Sequence, residues 1–166
     1  VRHRVHRDRV IEDGGKVLLI LGEENLERTH RRFRRTIAGM ALTEQERAAV
    51  SRDVVIAPLA GEPACPLLRQ DGYEVTETEA MGELRALLAD PGDGRGWQLV
   101  VIDPQSRLCG IDAEADNALA TRWIQAVETL TKAPGRPVVL ILGHSSKLSQ
   151  LSGRSDARGV SGQGDA

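Results

Sequence analysis

The chain has 166 residues, of which 40% are apolar and 28% are charged, and its net charge is −2. This composition excludes a disordered chain, and no apolar run approaches the ~18 residues of a membrane-spanning helix, so we expect no membrane partner. The start, VRHRVHRDRV, lacks the apolar stretch of a secretion signal, and two cysteines give neither a disulfide framework nor a zinc pattern. These features predict a cytoplasmic protein.

Positive charge is concentrated near the start of the chain. Residues 1–35 carry ten Lys or Arg against six Asp or Glu, whereas the rest carries twelve against eighteen. Residues 1–14 are a basic lead-in to the first predicted strand. The arginines that follow favour a solvated helix face, with a phosphate-binding surface as the alternative; they are Arg28, Arg31, Arg32, Arg34 and Arg35. Four aromatic residues are too few for a surface of stacked bases.

Four short apolar runs predict strands at residues 17–21, 54–57, 99–102 and 138–142. Continuous apolar runs of this length are typical of strands covered on both faces, as in parallel sheets.

Helical patterns separate these runs. Thr43 with Glu46, and Thr76 with Glu79, have the spacing of capping boxes and predict helix starts. Apolar stripes at helical spacing accompany the first and last helices: Leu26, Phe33, Ile37 and Met40, then Leu119, Trp123, Val127 and Leu130. We interpret residues 61–73 and 91–97 as connections. Residues 143–166, rich in Gly and Ser, are interpreted as a flexible segment that orders on a ligand or partner.

The alternation of strands and helices predicts an α/β fold with right-handed crossovers, a three-layer α/β/α core around a mostly parallel sheet. In such sheets ligands bind beyond the carboxyl ends of the strands. Glu23 and Glu24 follow the first run, Asp103 follows the third, and His144 follows the fourth. The alternative is that the carboxylates cap helices, which is the stronger explanation for the two glutamates than for Asp103.

An apolar strand that ends in Asp is the Walker B pattern of P-loop ATPases, in which the Asp holds Mg²⁺. Together with GKVLLILGEEN, WQLVVIDPQSRLCGIDAEADNALATRWIQAVETL, VVLILGHSSK and SDARGVS, this segment resembles the RecA-like ATPase core of RepA-type hexameric replicative helicases. The resemblance covers about residues 15–160.

The resemblance implies a role for each matched residue. Glu23 matches the family's catalytic carboxylate, and Glu24 is the alternative for that role. Asp103 matches the Walker B aspartate, which binds Mg²⁺ through water. His144 falls on the sensor histidine and Arg158 on the arginine finger. Lys147 is either a phosphate or DNA contact or a solvated lysine. The cofactors implied are ATP and Mg²⁺, and the partners are further copies of the chain in a hexameric ring and single-stranded DNA.

The family's phosphate loop, G-x-x-x-x-G-K-[ST], does not occur in the 166 residues. Gly15 and Lys16 are followed by Val17, so a turn before a strand explains them better. We therefore expect a partial core, incomplete at both ends. Two functions stay open: part of an ATP-hydrolysing helicase motor in plasmid or phage replication, with the chain alone inactive, or a truncated or degenerate ATPase-like module with assembly or binding roles.

Overall fold

The computed structural model describes residues 15–114 and 116–143, and the backbone of residues 5–6 and 9–10. The strands are β1 (Val5–His6), β2 (Arg9–Val10), β3 (Lys16–Leu21), β4 (Val54–Pro58), β5 (Leu68–Asp71), β6 (Glu74–Glu77), β7 (Trp97–Asp103) and β8 (Val138–Ile141). The helices are α1 (Leu26–Gly39), α2 (Glu44–Asp53), α3 (Glu79–Ala89), α4 (Gln105–Leu108) and α5 (Asn117–Glu128), which continues into a 3-10 turn over Thr129–Lys132. None of the helices in the described ranges has both the length and the apolar character to cross a bilayer.

The central sheet has four parallel strands in the order β4-β3-β7-β8. These strands are the four predicted apolar runs, and helices flank the sheet, so the α/β prediction is confirmed. The order places β3 and β7, the strands before the Glu23–Glu24 pair and Asp103, side by side in the middle.

The two predicted capping boxes have different outcomes. At Thr43 both hydrogen bonds form: the Thr43 side chain accepts from the Glu46 amide, and the Glu46 carboxylate accepts from the Thr43 amide. The prediction of a capping box at Thr76 and Glu79 is wrong, because Thr76 lies in β6 and α3 begins after Thr78. The Thr78 hydroxyl donates instead to the Pro66 carbonyl oxygen at 2.5 Å.

The connection predicted over 61–73 contains part of an antiparallel hairpin. Strand β5 pairs with β6, and Thr76 lies opposite Arg69 in this ladder. Gly72 and Tyr73 form the turn between the paired residues Asp71 and Glu74, and Gly72 has φ +59°. A glycine at the first position of a two-residue turn between short strands is a hairpin signal, and it outweighs the capping spacing that follows it. The basic lead-in likewise contains the short β1–β2 hairpin.

The hydrophobic core lies on one face of the sheet. Leu18 of β3 and Val100 and Ile102 of β7 are fully buried there, in one cluster with side chains of α3 and α5. Trp123 of α5 is fully buried in the same cluster. The opposite face of the sheet is less well covered at β8, where Val138 is 66% exposed.

A charged cluster joins three elements at the amino edge of the sheet. Lys16 at the start of β3 contacts Asp93 at 3.3 Å. Arg95 forms ion pairs with Asp93 at 2.7 Å and with Asp53. Asp53 also forms an ion pair with Arg52 at 2.9 Å. The pKa of Asp93 is lowered to about 2, chiefly by the hydrogen bond from Arg95. This cluster lies at the opposite end of the strands from Asp103.

Candidate functional site

The carboxyl ends of β3 and β7 meet at one edge of the sheet. Leu21 is the register partner of Asp103, and the Gly22 amide donates to the Asp103 carbonyl oxygen at 2.6 Å. Glu23 is the next residue after Gly22. Parallel pairing therefore brings the backbone of the two predicted carboxylate segments to the same edge, as the strand ends of an open α/β sheet require.

Gly22 permits this close approach. The residue is buried, and a Cβ at this position would lie 2.5 Å from the Cγ of Arg107 and 2.9 Å from its Cβ. A larger residue would force α4 and β3 apart. Glycine is thus required here by the side chain of Arg107, a contact that sequence spacing could not reveal.

Glu23 and Glu24 are not the cap of α1. The cap is Asn25, whose side-chain oxygen accepts from the Arg28 amide at 2.9 Å. Glu24 is instead tied to the helix: its carboxylate pairs with Arg32 at 2.5 Å and accepts from the Thr29 hydroxyl at 3.5 Å. Glu23 is exposed at the edge of the sheet. The geometry thus distinguishes the two glutamates: Glu24 is half-buried and bonded to α1, and Glu23 is exposed.

Asp103 does not cap a helix either. It is half-buried at the end of β7, and Pro104 stands at the N-cap of α4. A helix, α4, begins directly after Pro104, and no pattern described above indicated it. The reason is a distant partner: the Gln105 amide donates to the Leu142 carbonyl oxygen at 2.7 Å, beyond the end of β8. The Asp103 side chain is thereby left without a capping role.

Sequence reasoning missed Gln105. Its side chain is 8% exposed, one of two buried polar residues among the described ones, and it lies two residues after Asp103. The available signal was a polar residue directly after an Asp-Pro pair at a strand end. The backbone amide of Gln105, through its hydrogen bond to Leu142, links the ends of β7 and β8 at the candidate site.

The Gly-Lys pair before β3 is not at this edge. Lys16 begins β3 at the amino edge, where its ammonium group donates to the Pro91 carbonyl oxygen and lies 5.6 Å from the centroid of the Trp97 ring. The expectation that Lys16 leads into a strand is confirmed. His144, Lys147 and Arg158 lie outside the described residues.

The donors at the carboxyl edge fit Mg²⁺. Magnesium is usually held by one or two carboxylates together with waters and substrate phosphates. Within residues 15–114 and 116–143, no three or more His, Cys, Asp or Glu side chains are grouped so that they could hold a metal ion. Asp103 and the glutamates after β3 supply carboxylates at this edge, and carboxylates are ligands of the kind that a water-mediated magnesium ion uses.

A family model described as AAA domain matches residues 4–150, most of the chain. No curated protein matches the chain.

Proposed function

The chain belongs to the AAA domain family, and from this premise we propose that it is part of an ATP-hydrolysing motor of the RepA-type replicative helicase kind, acting on DNA in plasmid or phage replication. Members of the family act as ATPases and bind ATP with Mg²⁺. The observation that carries the proposal is the Gly22–Asp103 hydrogen bond between β3 and β7, since it joins the segments of the two candidate catalytic carboxylates.

In this proposal each carboxylate has one task. Asp103 holds Mg²⁺ through water, and Glu23 orients the attacking water and accepts its proton. Glu24 keeps α1 in place through its ion pair with Arg32. Bound Mg²⁺ supplies neutralisation of negative charge on the phosphate oxygens.

The remaining matched residues complete the proposal. His144 senses the terminal phosphate, Lys147 contacts phosphate or DNA, and Arg158 acts on the nucleotide of a neighbouring subunit. The assembly is a hexameric ring of identical chains around single-stranded DNA, as the resemblance implies. In phosphoryl transfer such residues act by positioning and charge stabilisation rather than by covalent chemistry.

The second candidate is an ATPase-like module with assembly or binding roles and no catalysis. It is favoured by one sequence fact, the absence of G-x-x-x-x-G-K-[ST] from the 166 residues. The backbone amides and lysine of that loop carry much of the phosphate binding in P-loop proteins, so we expect this chain alone to bind ATP weakly.

Titration with a fluorescent ATP analogue, with and without Mg²⁺, separates the two candidates. The motor predicts weak binding, with a dissociation constant of ~1 mM, that is stronger when Mg²⁺ is present. Binding that is identical with and without Mg²⁺ would favour the non-catalytic module. Tight binding, at ~1 μM or below, would contradict the expectation for the chain alone.

A further inference from the structure

Helix α1 carries four arginines on one side, which we call the arginine stripe: Arg28, Arg31, Arg32 and Arg35. Their spacing of three and four residues places them one above another on the helix surface. All four are exposed, and together with Thr36 they line a depression of about 320 Å³. The stripe is thus a continuous basic surface.

The charge of the stripe is only partly neutralised within the described residues. Arg31 pairs with Glu27 at 2.6 Å and Arg32 with Glu24 at 2.5 Å, whereas no ion pair is found there for Arg28 or Arg35. Helix α1 holds five arginines and one glutamate, in a chain whose net charge is negative. The positive charge is therefore concentrated on this helix.

The stripe opposes the stability of its own helix. Arg28 and Arg32, and likewise Arg31 and Arg35, are like-charged pairs four residues apart, which destabilise a helix. Arg28 also lies in the first turn, where the helix dipole disfavours a cation. An anion bound along the stripe would relieve both effects, so the arrangement suits a ligand better than it suits the isolated helix.

The opposite side of α1 is partly covered by the protein. At about 100° per residue, Thr29, Phe33 and Ile37 lie across the helix from the stripe. Thr29 is buried and the other two are half-buried, whereas Leu26 on the same side is 52% exposed. The guanidinium groups of the stripe therefore lie on the more exposed side of the helix, where a polyanion in solution can reach them.

We propose that the arginine stripe binds the phosphodiester backbone of nucleic acid, without reading its sequence. Arg28 and Arg35 are seven residues apart, so the stripe is ~10 Å long, enough for two or three successive phosphates. The guanidinium fork matches phosphate oxygens in two-point hydrogen bonds. No aromatic side chain lines the depression, so contact is with the backbone rather than by base stacking. This inference rests on the proposed function and names the surface by which its DNA is held.

The test uses the full chain and a labelled oligothymidylate of about 20 nucleotides, with binding followed by fluorescence anisotropy between ~50 and ~200 mM salt. The variant is Arg28→Glu with Arg35→Glu, which leaves Arg32 and its bond to Glu24 intact. The control is Arg47→Glu with Arg122→Glu, two exposed arginines on α2 and α5, which changes the net charge by the same amount.

We expect the stripe variant to bind at least ~10-fold more weakly, with a salt dependence reduced by about 1 to 2 in log–log slope, and the control to change by less than about twofold. Far-UV circular dichroism checks the helix content, and Arg28→Gln with Arg35→Gln replaces the glutamate variant if that one fails to fold. Equal loss in variant and control, no loss in either, or no binding by the wild type would each overturn the proposal.

Binding to phosphatidylserine vesicles but not to the oligonucleotide would also overturn it, in favour of a lipid surface. The ATP analogue titration is independent of these results. If the stripe variant keeps the Mg²⁺-dependent nucleotide binding of the wild type, a failure of the stripe leaves the proposed motor standing, and the reverse also holds.

Discussion

The Gly22 amide donates a hydrogen bond to the Asp103 carbonyl oxygen over 2.6 Å, and it thereby joins the carboxyl ends of β3 and β7. The two residues are 81 positions apart in sequence. Their contact depends on parallel pairing and on the missing Cβ of Gly22, against which Arg107 packs. The relative position of Glu23 and Asp103 is set by this bond.

We expect Gly22→Ala to lower the free energy of unfolding by about 1 to 3 kcal/mol, because the new methyl group overlaps Arg107 close to its backbone. Urea denaturation followed by tryptophan fluorescence measures this free energy, because both tryptophans are buried and become exposed on unfolding.

The control for that experiment is Gly82→Ala in the exposed part of α3, where nothing lies within 4 Å of the added Cβ. It should raise the free energy of unfolding by roughly 0.5 to 1 kcal/mol, because alanine has the higher helix propensity. Similar effects at both positions would mean that Gly22 is not constrained by Arg107.

The assignment of Glu23 and not Glu24 to the attacking water depends on the Glu24–Arg32 ion pair. A double-mutant cycle with Glu24→Gln and Arg32→Gln should give a coupling energy of about 0.2 to 1 kcal/mol that falls as salt is added. The value is small because the Arg32 side chain is 66% exposed. A coupling energy of zero would show that Arg32 does not hold the Glu24 carboxylate on α1.

Acid should weaken the charged cluster at the amino edge. The pKa of Asp93 in the folded protein is about 2, below the value of about 4 for an unfolded carboxyl. A lowered pKa stabilises the fold above the unfolded value, and that contribution is lost as the pH falls from about 4 towards 2. The pKa of Asp53 is lowered as well, by hydrogen bonds from Arg52 and Arg95.

The corresponding variant is Asp93→Asn. Its urea midpoint should be lower than that of the wild type at neutral pH and should fall less steeply in the acid range. Asp71→Asn, on the exposed β5–β6 hairpin, serves as the matched substitution. A wild type and an Asp93→Asn variant with parallel pH profiles would refute the role given to this carboxylate.

Sequence patterns predicted what is local or strongly periodic. The four strands of the sheet and the capping box at Thr43 required no knowledge of distant contacts, and both are confirmed. The box at Thr76 has the same spacing and does not form, because pairing with Arg69 across the Gly72–Tyr73 turn places Thr76 in a strand. Equal local signals therefore gave different structures where strand pairing intervened.

In the candidate site, too, local features were predicted and features that depend on strand register were not. Glu23 and Asp103 were predicted because strand ends of a parallel sheet share an edge, a rule that needs no register. The packing of Arg107 on Gly22 and the Gln105–Leu142 hydrogen bond depend on register and were not predicted. His144, Lys147 and Arg158 lie outside the described residues and stay predictions.

The most direct test of the proposed ATPase site is the Mg²⁺ dependence of nucleotide binding by Asp103→Asn. The substitution keeps the size of the side chain and removes the negative charge that would hold the metal. We expect it to abolish the strengthening of ATP analogue binding by Mg²⁺, whereas Asp71→Asn should retain it in full. An Asp103→Asn variant that responds to Mg²⁺ as the wild type does would contradict the assignment of this edge of the sheet as the metal side of an ATP site.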